Sequence, residues 1–142
     1  MLHVDLVCVG RMKEPYFVAA AAEYQKRLAP HVKLTVKELP EGHPVVNELP
    51  RDATLTVALC VDGQPCTSQQ LAADIAAWQL SGISSVCYVI GGSDGLPGAV
   101  VQRADKRLSL SAMTFPHHLA RVILLEQLYR AFQIIAGGKY HK

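Results

Sequence analysis

The sequence predicts a single α/β domain of three layers, spanning residues 1–142, in which helices cover both faces of a mainly parallel sheet. Segments with strand character alternate with segments of helical period along the whole chain, as in folds with parallel strands. Three of the strand segments, residues 2–9, 55–61 and 86–90, are rich in apolar and β-branched residues, which is typical of strands buried on both faces. Half of the residues are hydrophobic and 18% are charged, which indicates a well-filled core and excludes a disordered chain.

Each element of the first half has its own signal. The first strand, residues 2–9, is rich in β-branched residues and ends at Gly10. A helix over residues 14–29 has Pro15 in its first turn and apolar side chains every four residues. Residues 32–39 alternate apolar and polar side chains, which predicts a half-exposed strand, and three prolines predict a loop over residues 40–53.

The second half repeats the pattern. A strand over residues 55–61 closes at Asp62-Gly63, and a helix over residues 68–80 is ended by Gly82. The remaining predicted elements are a strand at residues 86–90, a short helix at 98–104, a strand at 107–111 and a helix at 117–136.

Charge and cysteine usage narrow the class of protein. A net charge of +2 gives no footprint for indiscriminate nucleic-acid binding, so any RNA contact has to come from a local patch. Four cysteines without C-x-x-C spacing, three of them in apolar strand segments, indicate free thiols in a reducing, cytoplasmic setting rather than a disulfide or a metal site. His3 and Asp5 interrupt the stretch where a signal peptide would be apolar, and we expect no membrane association.

A glycine-rich turn follows the strand at residues 86–90. Gly91, Gly92 and Gly95 permit tight turns and close approach of main-chain N–H groups to a ligand. Ligands of parallel sheets bind beyond the carboxyl ends of the strands, so the loops at residues 60–67, 91–97 and 111–117 compete for the site. The turn has neither the P-loop ending nor the G-x-G-x-x-G pattern, which disfavours nucleoside triphosphates and NAD. A purely structural turn is the alternative.

The last predicted helix carries one polar stripe and one misplaced arginine. Arg121 falls within the apolar arc, where its charge has to reach an internal carboxylate such as Asp94, solvent by snorkelling from the first turn, a phosphate, or a subunit interface. The breadth of the arc suggests burial against another helix, possibly from a second copy of the chain. His117 and His118 lack a third ligand and are interpreted as structural, and composition alone predicts a disordered tail after Gly137. The polar stripe of this last helix consists of Glu126, Gln127, Arg130 and Gln133.

Four segments together resemble a known family. They are the Ile-Gly-Gly-Ser-Asp-Gly-Leu of residues 90–96, the Leu-Ser-Leu-Ser-Ala-Met-Thr-Phe-Pro-His of residues 108–117, Arg121 with the Glu-Gln-Leu-Tyr-Arg-Ala of residues 126–131, and the Tyr-His-Lys ending at residues 140–142. The combination resembles the bacterial large-subunit ribosomal RNA pseudouridine N3-methyltransferases of the SPOUT class, over nearly the whole chain. The resemblance implies a C-terminal trefoil knot, a homodimer, S-adenosylmethionine as cofactor, no metal, and methylation of N3 of a pseudouridine in the 23S rRNA of assembled ribosomes.

The resemblance also implies the site residues. Tyr140 and His141 align with the catalytic ending, with His141 the natural general base and Tyr140 placed to stack on or hydrogen-bond to a flipped base. Arg121 and Lys142 are assigned to substrate RNA, although Lys142 stands where some members have an arginine and lacks its planar bidentate grip. The cofactor-binding positions are Leu59, Gly91, Leu110, Ser111, Ala112, Met113, Thr114 and Phe115.

One region departs from the family, and two other functions stay open. The proline-rich loop at residues 40–52 replaces a helical segment, outside the half of the chain that carries the cofactor positions. One alternative is a non-catalytic α/β module that binds a nucleotide. The other is a SPOUT methyltransferase that acts on a different RNA, such as transfer RNA, which the Tyr140-His141 ending argues against.

Overall fold

A computed structural model describes residues 1–50 and 54–142 and confirms the alternation of strands and helices. The elements are β1 (Leu2–Val9), α1 (Pro15–Leu28), β2 (Val32–Leu39), a 3-10 turn (Val45–Glu48), β3 (Leu55–Pro65), α2 (Ser68–Leu80), β4 (Ser85–Ile90), α3 (Gly98–Arg103), β5 (Lys106–Ser109) and α4 (His117–Ile135).

The five strands form one sheet in the order β2-β1-β4-β3-β5, with every pairing parallel. β2 lies at an edge, as its alternating pattern predicts. β1 and β4, which are mainly apolar, lie inside the sheet. Because all strands run the same way, their carboxyl ends, and the loops that follow them, meet at one edge of the domain.

Two hydrophobic clusters, one on each face of the sheet, confirm the three layers. Leu6 and Cys8 of β1 face a cluster shared with α1, α2 and α4. Val7 and Val9 face the other cluster, which includes Val100 of α3. Successive side chains of a strand point to opposite faces, so β1 is apolar at every position from Leu6 to Val9, where both of its faces are covered.

β3 is longer than predicted and irregular. It continues to Pro65, and its pairing with β5 shifts register between Leu59 and Gln64, so the Asp62-Gly63 signal marks an irregularity inside the strand rather than its end. A Cβ atom on Gly63 would lie 2.9 Å from the carbonyl carbon of Arg107, so this close backbone approach requires glycine. β5 ends two residues earlier than predicted, at Ser109.

The segment after β2 contains more structure than a loop. The 3-10 turn at Val45–Glu48 places Val45 and Leu49 in the cluster on the α3 side of the sheet. Arg103 of α3 donates hydrogen bonds to the carbonyl oxygens of Val46, at 3.1 Å, and Pro50, at 2.8 Å. The part of the predicted loop at residues 51–53 lies outside the described residues.

α4 is covered within its own chain, by α1 and α2 on its sides and by the sheet beneath. The apolar arc that suggested a second copy therefore finds its partners intramolecularly, and the arc no longer argues for a dimer. The residues it buries, besides Arg121, are Leu124, Leu125, Leu128, Ala131 and Phe132.

All four cysteines are free, as predicted. Burial raises the pKa of Cys8 to about 11 and that of Cys87 to about 12, so both thiols stay protonated and unreactive near neutral pH. Cys60 and Cys66 are only partly buried. Within residues 1–50 and 54–142, no helix is long and apolar enough to cross a bilayer.

Candidate active site

A cavity of about 760 Å³ opens at the carboxyl ends of β3, β4 and β5. Its volume falls in the range of small-molecule sites. Side chains from all three strand-end loops that the sequence placed in competition line it, so these loops form one site. The exposed Ala112 does not line the cavity. The other seven of the eight predicted cofactor positions do line it: Leu59, Gly91, Leu110, Ser111, Met113, Thr114 and Phe115.

The glycine turn forms one wall of the cavity. A Cβ atom on Gly91 would lie 2.5 Å from the carbonyl carbon of Gly95, so no side chain fits there. Gly95 has a φ of +77°, and its N–H donates to the Gly92 carbonyl oxygen at 3.0 Å. The turn closes on itself because Gly91 has no side chain and Gly95 adopts a left-handed conformation.

The opposite wall is the loop between β5 and α4. The buried Ser109 hydroxyl lies 2.9 Å from the Val61 carbonyl oxygen and 3.0 Å from that of Ser111, which ties the loop to β3. The Ser111 hydroxyl accepts the Met113 N–H at 3.0 Å. Met113 is 74% exposed, and it offers an apolar cover to a bound molecule at the mouth of the cavity.

Two polar residues of the competing loops contribute to this cavity, although neither is among the predicted site residues. Asp62 and His117 both line it. His117 is the first residue of α4, and its ring centroid lies 4.0 Å from that of His118. The interpretation of this pair as purely structural is therefore incomplete for His117. Its position, at a helix start just beyond a strand-end loop, was the signal available in the sequence.

Arg121 has an internal partner, one of the options that the sequence left open. Its guanidinium donates to Glu38 Oε2 at 2.7 Å and to the Gly10 carbonyl oxygen at 3.3 Å, and only 5% of the side chain is exposed. The partner is Glu38 of β2 rather than Asp94. A guanidinium enclosed in this way has no free face for a phosphate, and this internal role replaces the RNA contact assigned to Arg121.

The Glu38–Arg121 pair links β2, α4 and the segment after β1, where Gly10 and Met12 lie. Glu38 also accepts the Met12 N–H at 3.0 Å. Burial opposes ionisation of Glu38, but the hydrogen bonds from Met12 and Arg121 and the charge of Arg121 outweigh it and lower its pKa. The stability from this pair is therefore present above the ordinary glutamate pKa and is lost as the pH falls through the lowered value.

Removing Glu38 and removing Arg121 should both destabilise the fold, but by different amounts. We expect Glu38→Gln to lower the free energy of unfolding by about 3 kcal/mol, since it leaves the buried Arg121 without a counter-charge. Arg121→Met should cost less, about 2 kcal/mol, because a third of the Glu38 side chain reaches solvent. Urea denaturation at pH 7 measures both, and a smaller loss for Glu38→Gln than for Arg121→Met would contradict this account.

The C-terminal tail is docked on α4, contrary to the disorder that composition predicts. The Tyr140 hydroxyl donates to Glu126 Oε2 at 2.8 Å, and its ring packs edge-on against Tyr129 at 4.9 Å. Arg130 forms an ion pair with Glu126 at 2.7 Å and lies 4.8 Å above the Tyr140 ring. The polar stripe of the last helix is therefore the surface on which the tail lies.

His141 is held at both ring nitrogens, while Lys142 is exposed. Nδ1 lies 3.1 Å from Arg130 Nη1, and Nε2 lies 2.9 Å from the Gln69 side-chain amide. A guanidinium can only donate, so Nδ1 must accept, and the ring hydrogen then resides on Nε2. The structure places the Gln69 amide nitrogen against Nε2, so a hydrogen on Nε2 requires the amide to be turned over, with its oxygen as the acceptor.

Tyr140 is a persistent hydrogen-bond donor. Burial and the hydrogen bond to Glu126 raise its pKa from 10 to about 12. Because the raised pKa favours the protonated form in the folded state, the tail docking it supports is complete below pH 10 and is lost as the pH rises towards 12.

We expect alkaline titration to detach the tail. Difference absorbance between the parent protein and Tyr140→Phe, followed at the tyrosinate band, should place the Tyr140 transition about two pH units above that of a free tyrosine. A Tyr140 transition at the pKa of a free tyrosine would show that the tail is not docked in solution.

The tail and the cavity do not meet within one chain. His117 lines the cavity, whereas Tyr140 and His141 do not. Glu126, which holds Tyr140, lies nine residues after His117, which corresponds to about 14 Å along the helix axis. Reacting groups have to approach to about 3–3.5 Å, so one chain in this conformation does not assemble the complete predicted site.

A family model described as "Predicted SPOUT methyltransferase" matches residues 2–141. This chain belongs to the SPOUT methyltransferase family. Proteins named "Ribosomal RNA large subunit methyltransferase H" are similar over 99% of this SPOUT chain and 100% of their own length. The one from Bifidobacterium animalis subsp. lactis is 46% identical and the one from Bacillus pumilus 40%.

Solved structures support the SPOUT fold at low sequence identity. A probable methylase family protein from Haemophilus influenzae Rd KW20 has a TM-score of 0.63 at 11% identity, with 98% of this chain and 70% of that chain covered. The SpoU methyltransferase AviRb from Streptomyces viridochromogenes, in complex with the cofactor AdoMet, has a TM-score of 0.51 at 15% identity, with coverages of 97% and 59%. These likenesses concern the fold alone.

Proposed function

We propose that this SPOUT protein transfers a methyl group from S-adenosylmethionine to N3 of a pseudouridine in the 23S rRNA of assembled ribosomes. The observation that carries the proposal is the convergence of seven of the eight cofactor positions on one cavity. The relatives named large-subunit ribosomal RNA methyltransferases supply the class of substrate. The free thiols fit a protein of the reducing cytoplasm.

The cavity suits this cofactor. The glycine turn places main-chain groups at the cavity wall, and it can fold this tightly because Gly91 packs directly against the Gly95 backbone, where a Cβ atom would collide. Leu59, Leu110 and Phe115 add apolar surface for an adenosine and a methionine chain. When bound, S-adenosylmethionine supplies an electrophilic methyl group on a sulfonium, and this chemistry requires no metal. In the described residues, no three His, Cys, Asp or Glu side chains are grouped to hold a metal ion.

The tail supplies the proton chemistry. N3 of a pseudouridine carries a proton that has to leave when the methyl group arrives, and His141 is the general base of the proposal. Both of its ring nitrogens are occupied here, by Arg130 and Gln69, so His141 has to exchange one of these contacts for the substrate. Tyr140, protonated across the working pH range, donates a hydrogen bond or stacks on the base. Lys142 is exposed, and in this proposal it contacts a phosphate of the substrate RNA.

The separation of tail and cavity supports a homodimer as the working form. A second copy, related by a twofold axis, would bring the tail of one subunit to the cavity of its partner. In this arrangement the dimer is required for activity, since each subunit alone holds an incomplete site. Sedimentation at micromolar concentration tests this: a protein that is monomeric and fully active would contradict it.

A trefoil knot in the C-terminal half is part of the same proposal. The extension of β3, the glycine turn and the β5–α4 loop converge around the cavity, and a chain passing through one of these loops would hold them together. Such knots are rare exceptions to the general topology of proteins.

The proposed reaction is tested by methyl transfer from labelled S-adenosylmethionine to purified assembled ribosomes and, in parallel, to bare 23S rRNA and to transfer RNA. We expect incorporation into assembled ribosomes, with 3-methylpseudouridine as the product nucleoside by mass spectrometry. Cofactor binding without methyl incorporation into any of these RNAs would favour the alternative function, a non-catalytic α/β module that binds a nucleotide. Incorporation only into transfer RNA would favour the other SPOUT activity.

A further inference from the structure

The cavity of the candidate active site has two ends that differ in their ionisable groups. Among the described residues that line it, Asp62 is the one acidic side chain, and His117 is the one side chain that can carry a positive charge. Asp62 belongs to the extension of β3 along β5, and its carboxylate lies 3.8 Å from the Arg107 guanidinium. His117 begins α4 next to the end of β1. Because β4 lies between β1 and β3 in the sheet, the two groups mark different ends of the cavity.

The imidazole of His117 lies against the end of β1. Its Nε2 atom is 3.2 Å from the point that a Cβ atom on Gly10 would occupy, and Glu41 Oε1 is 3.4 Å from the same point. Both carboxylate oxygens of Glu41 also lie 3.0 Å from the Cβ position of Gly92, in the glycine turn. Glu41 does not itself line the cavity. This end of the site therefore has an imidazole at the cavity wall and a carboxylate behind it.

His118 is a close neighbour of His117 with a different environment. The two ring centroids are 4.0 Å apart, but His118 does not line the cavity. Burial lowers the pKa of His118, and the neighbouring His117 and Arg121 lower it further. His118 is therefore neutral near pH 7, and it provides a matched comparison for His117.

S-adenosylmethionine carries its charged groups away from its adenine. The adenine is flat and uncharged, whereas the amino-acid end has a carboxylate and an ammonium group on one carbon. A carboxylate that moves from water into a mainly apolar cavity needs hydrogen-bond donors or a counter-charge. Leu59 and Leu108 supply apolar surface for the adenine on the β3–β5 side. The reverse orientation would place the carboxylate near Asp62, where no lining side chain is positive.

We propose that His117 binds the carboxylate at the amino-acid end of S-adenosylmethionine, with the adenine at the β3–β5 end of the cavity. The imidazole donates a hydrogen bond to a carboxylate oxygen, and the charge of Glu41 suits the ammonium group on the same carbon. This inference rests on the proposed function, since it takes S-adenosylmethionine as the cofactor. It gives His117 a binding role that the eight predicted cofactor positions do not include.

Two ligands that differ only in the carboxylate test this assignment without turnover. They are S-adenosylmethionine and decarboxylated S-adenosylmethionine, which keeps the sulfonium and the ammonium group. Each is titrated into the full-length protein by isothermal titration calorimetry, with no RNA present. We expect the parent protein to bind S-adenosylmethionine at least about tenfold more tightly, because hydrogen bonds to charged groups contribute more than those between neutral groups.

Substitutions of His117 should remove this preference. We expect His117→Ala to bind S-adenosylmethionine about 10-fold to 100-fold more weakly, and the decarboxylated ligand within about twofold of the parent protein. His117→Gln retains a neutral donor and should show an intermediate loss. The matched control His118→Ala should bind both ligands like the parent protein, because His118 does not line the cavity. Circular dichroism should show that all three variants are folded.

The ratio of the two affinities separates this inference from the proposed function. If the parent protein does not bind S-adenosylmethionine, the proposed function fails and the inference fails with it. If the parent protein binds both ligands equally, or if His117→Ala keeps the parent preference, the assignment of His117 is overturned while the proposed function stands. An equal loss of affinity for both ligands in His117→Ala would show that His117 only shapes the cavity, and it would also overturn the assignment.

Discussion

Replacing Gly91 with alanine is expected to weaken S-adenosylmethionine binding by about 100-fold or more, which corresponds to about 3 kcal/mol. The added Cβ would lie 2.5 Å from the carbonyl carbon of Gly95 and 2.7 Å from its oxygen. Both are backbone atoms, so the turn itself has to open, and the wall it presents to the cavity is lost. Isothermal titration calorimetry measures the dissociation constant.

The control for this substitution is Gly98→Ala. A Cβ atom at Gly98, in the first turn of α3, would meet nothing within 4 Å, and Gly98 does not line the cavity. Gly98→Ala should bind the cofactor like the parent protein, and circular dichroism should show that both variants are folded. Equal binding by the two variants would refute the role given to the glycine turn.

The second large effect is expected for His141→Ala. Loss of a general base lowers the rate by about 10²–10⁴-fold, and we expect methyl transfer to ribosomes to fall within that range. Cofactor affinity should not change, because His141 does not line the cavity. Single-turnover methylation with saturating S-adenosylmethionine separates the two quantities.

Two comparisons make this result specific. Lys139→Ala, an exposed residue of the same tail, should retain activity within about twofold, as surface changes usually do. Gln69→Ala removes only the partner of His141 Nε2 and should give an intermediate rate. Full activity of His141→Ala would remove His141 from the chemistry.

Local signals made the regular elements predictable. The bounds of β1, β2 and α2 agree with those predicted, because strand patterning and helix caps depend on neighbouring residues. At α2, Thr67 accepts the Gln70 N–H at 3.1 Å, and Gln70 returns a bond to the Thr67 N–H at 2.8 Å, so a capping box sets the helix start.

Contacts between distant parts of the chain were not predictable in the same way. The Arg121–Glu38 bond joins residues 83 positions apart, and no local pattern distinguishes Glu38 from Asp94 as the partner. The irregularity of β3 depends on its pairing with β5, a strand that lies about 50 residues later in the sequence. Both features depend on the assembled sheet.

In the candidate site, too, some features were predictable from the sequence and others depended on the folded structure. The rule that ligands bind at the carboxyl ends of parallel strands selected the three loops that form the cavity, and the family resemblance selected residues within them. Docking of Tyr140 onto Glu126 was hidden because composition describes a short polar ending as frayed. His117 was missed because its role depends on where α4 begins relative to the cavity.

The central claim is that the cavity of one subunit works with the tail of its partner. The most direct test mixes inactive Gly91→Ala and His141→Ala subunits, allows them to exchange, and measures methyl transfer to ribosomes. Mixed dimers contain one intact cavity opposite one intact tail, so random pairing predicts recovery of about a quarter of the parent activity. Continued inactivity of the mixture, when exchange has been verified, would contradict the account.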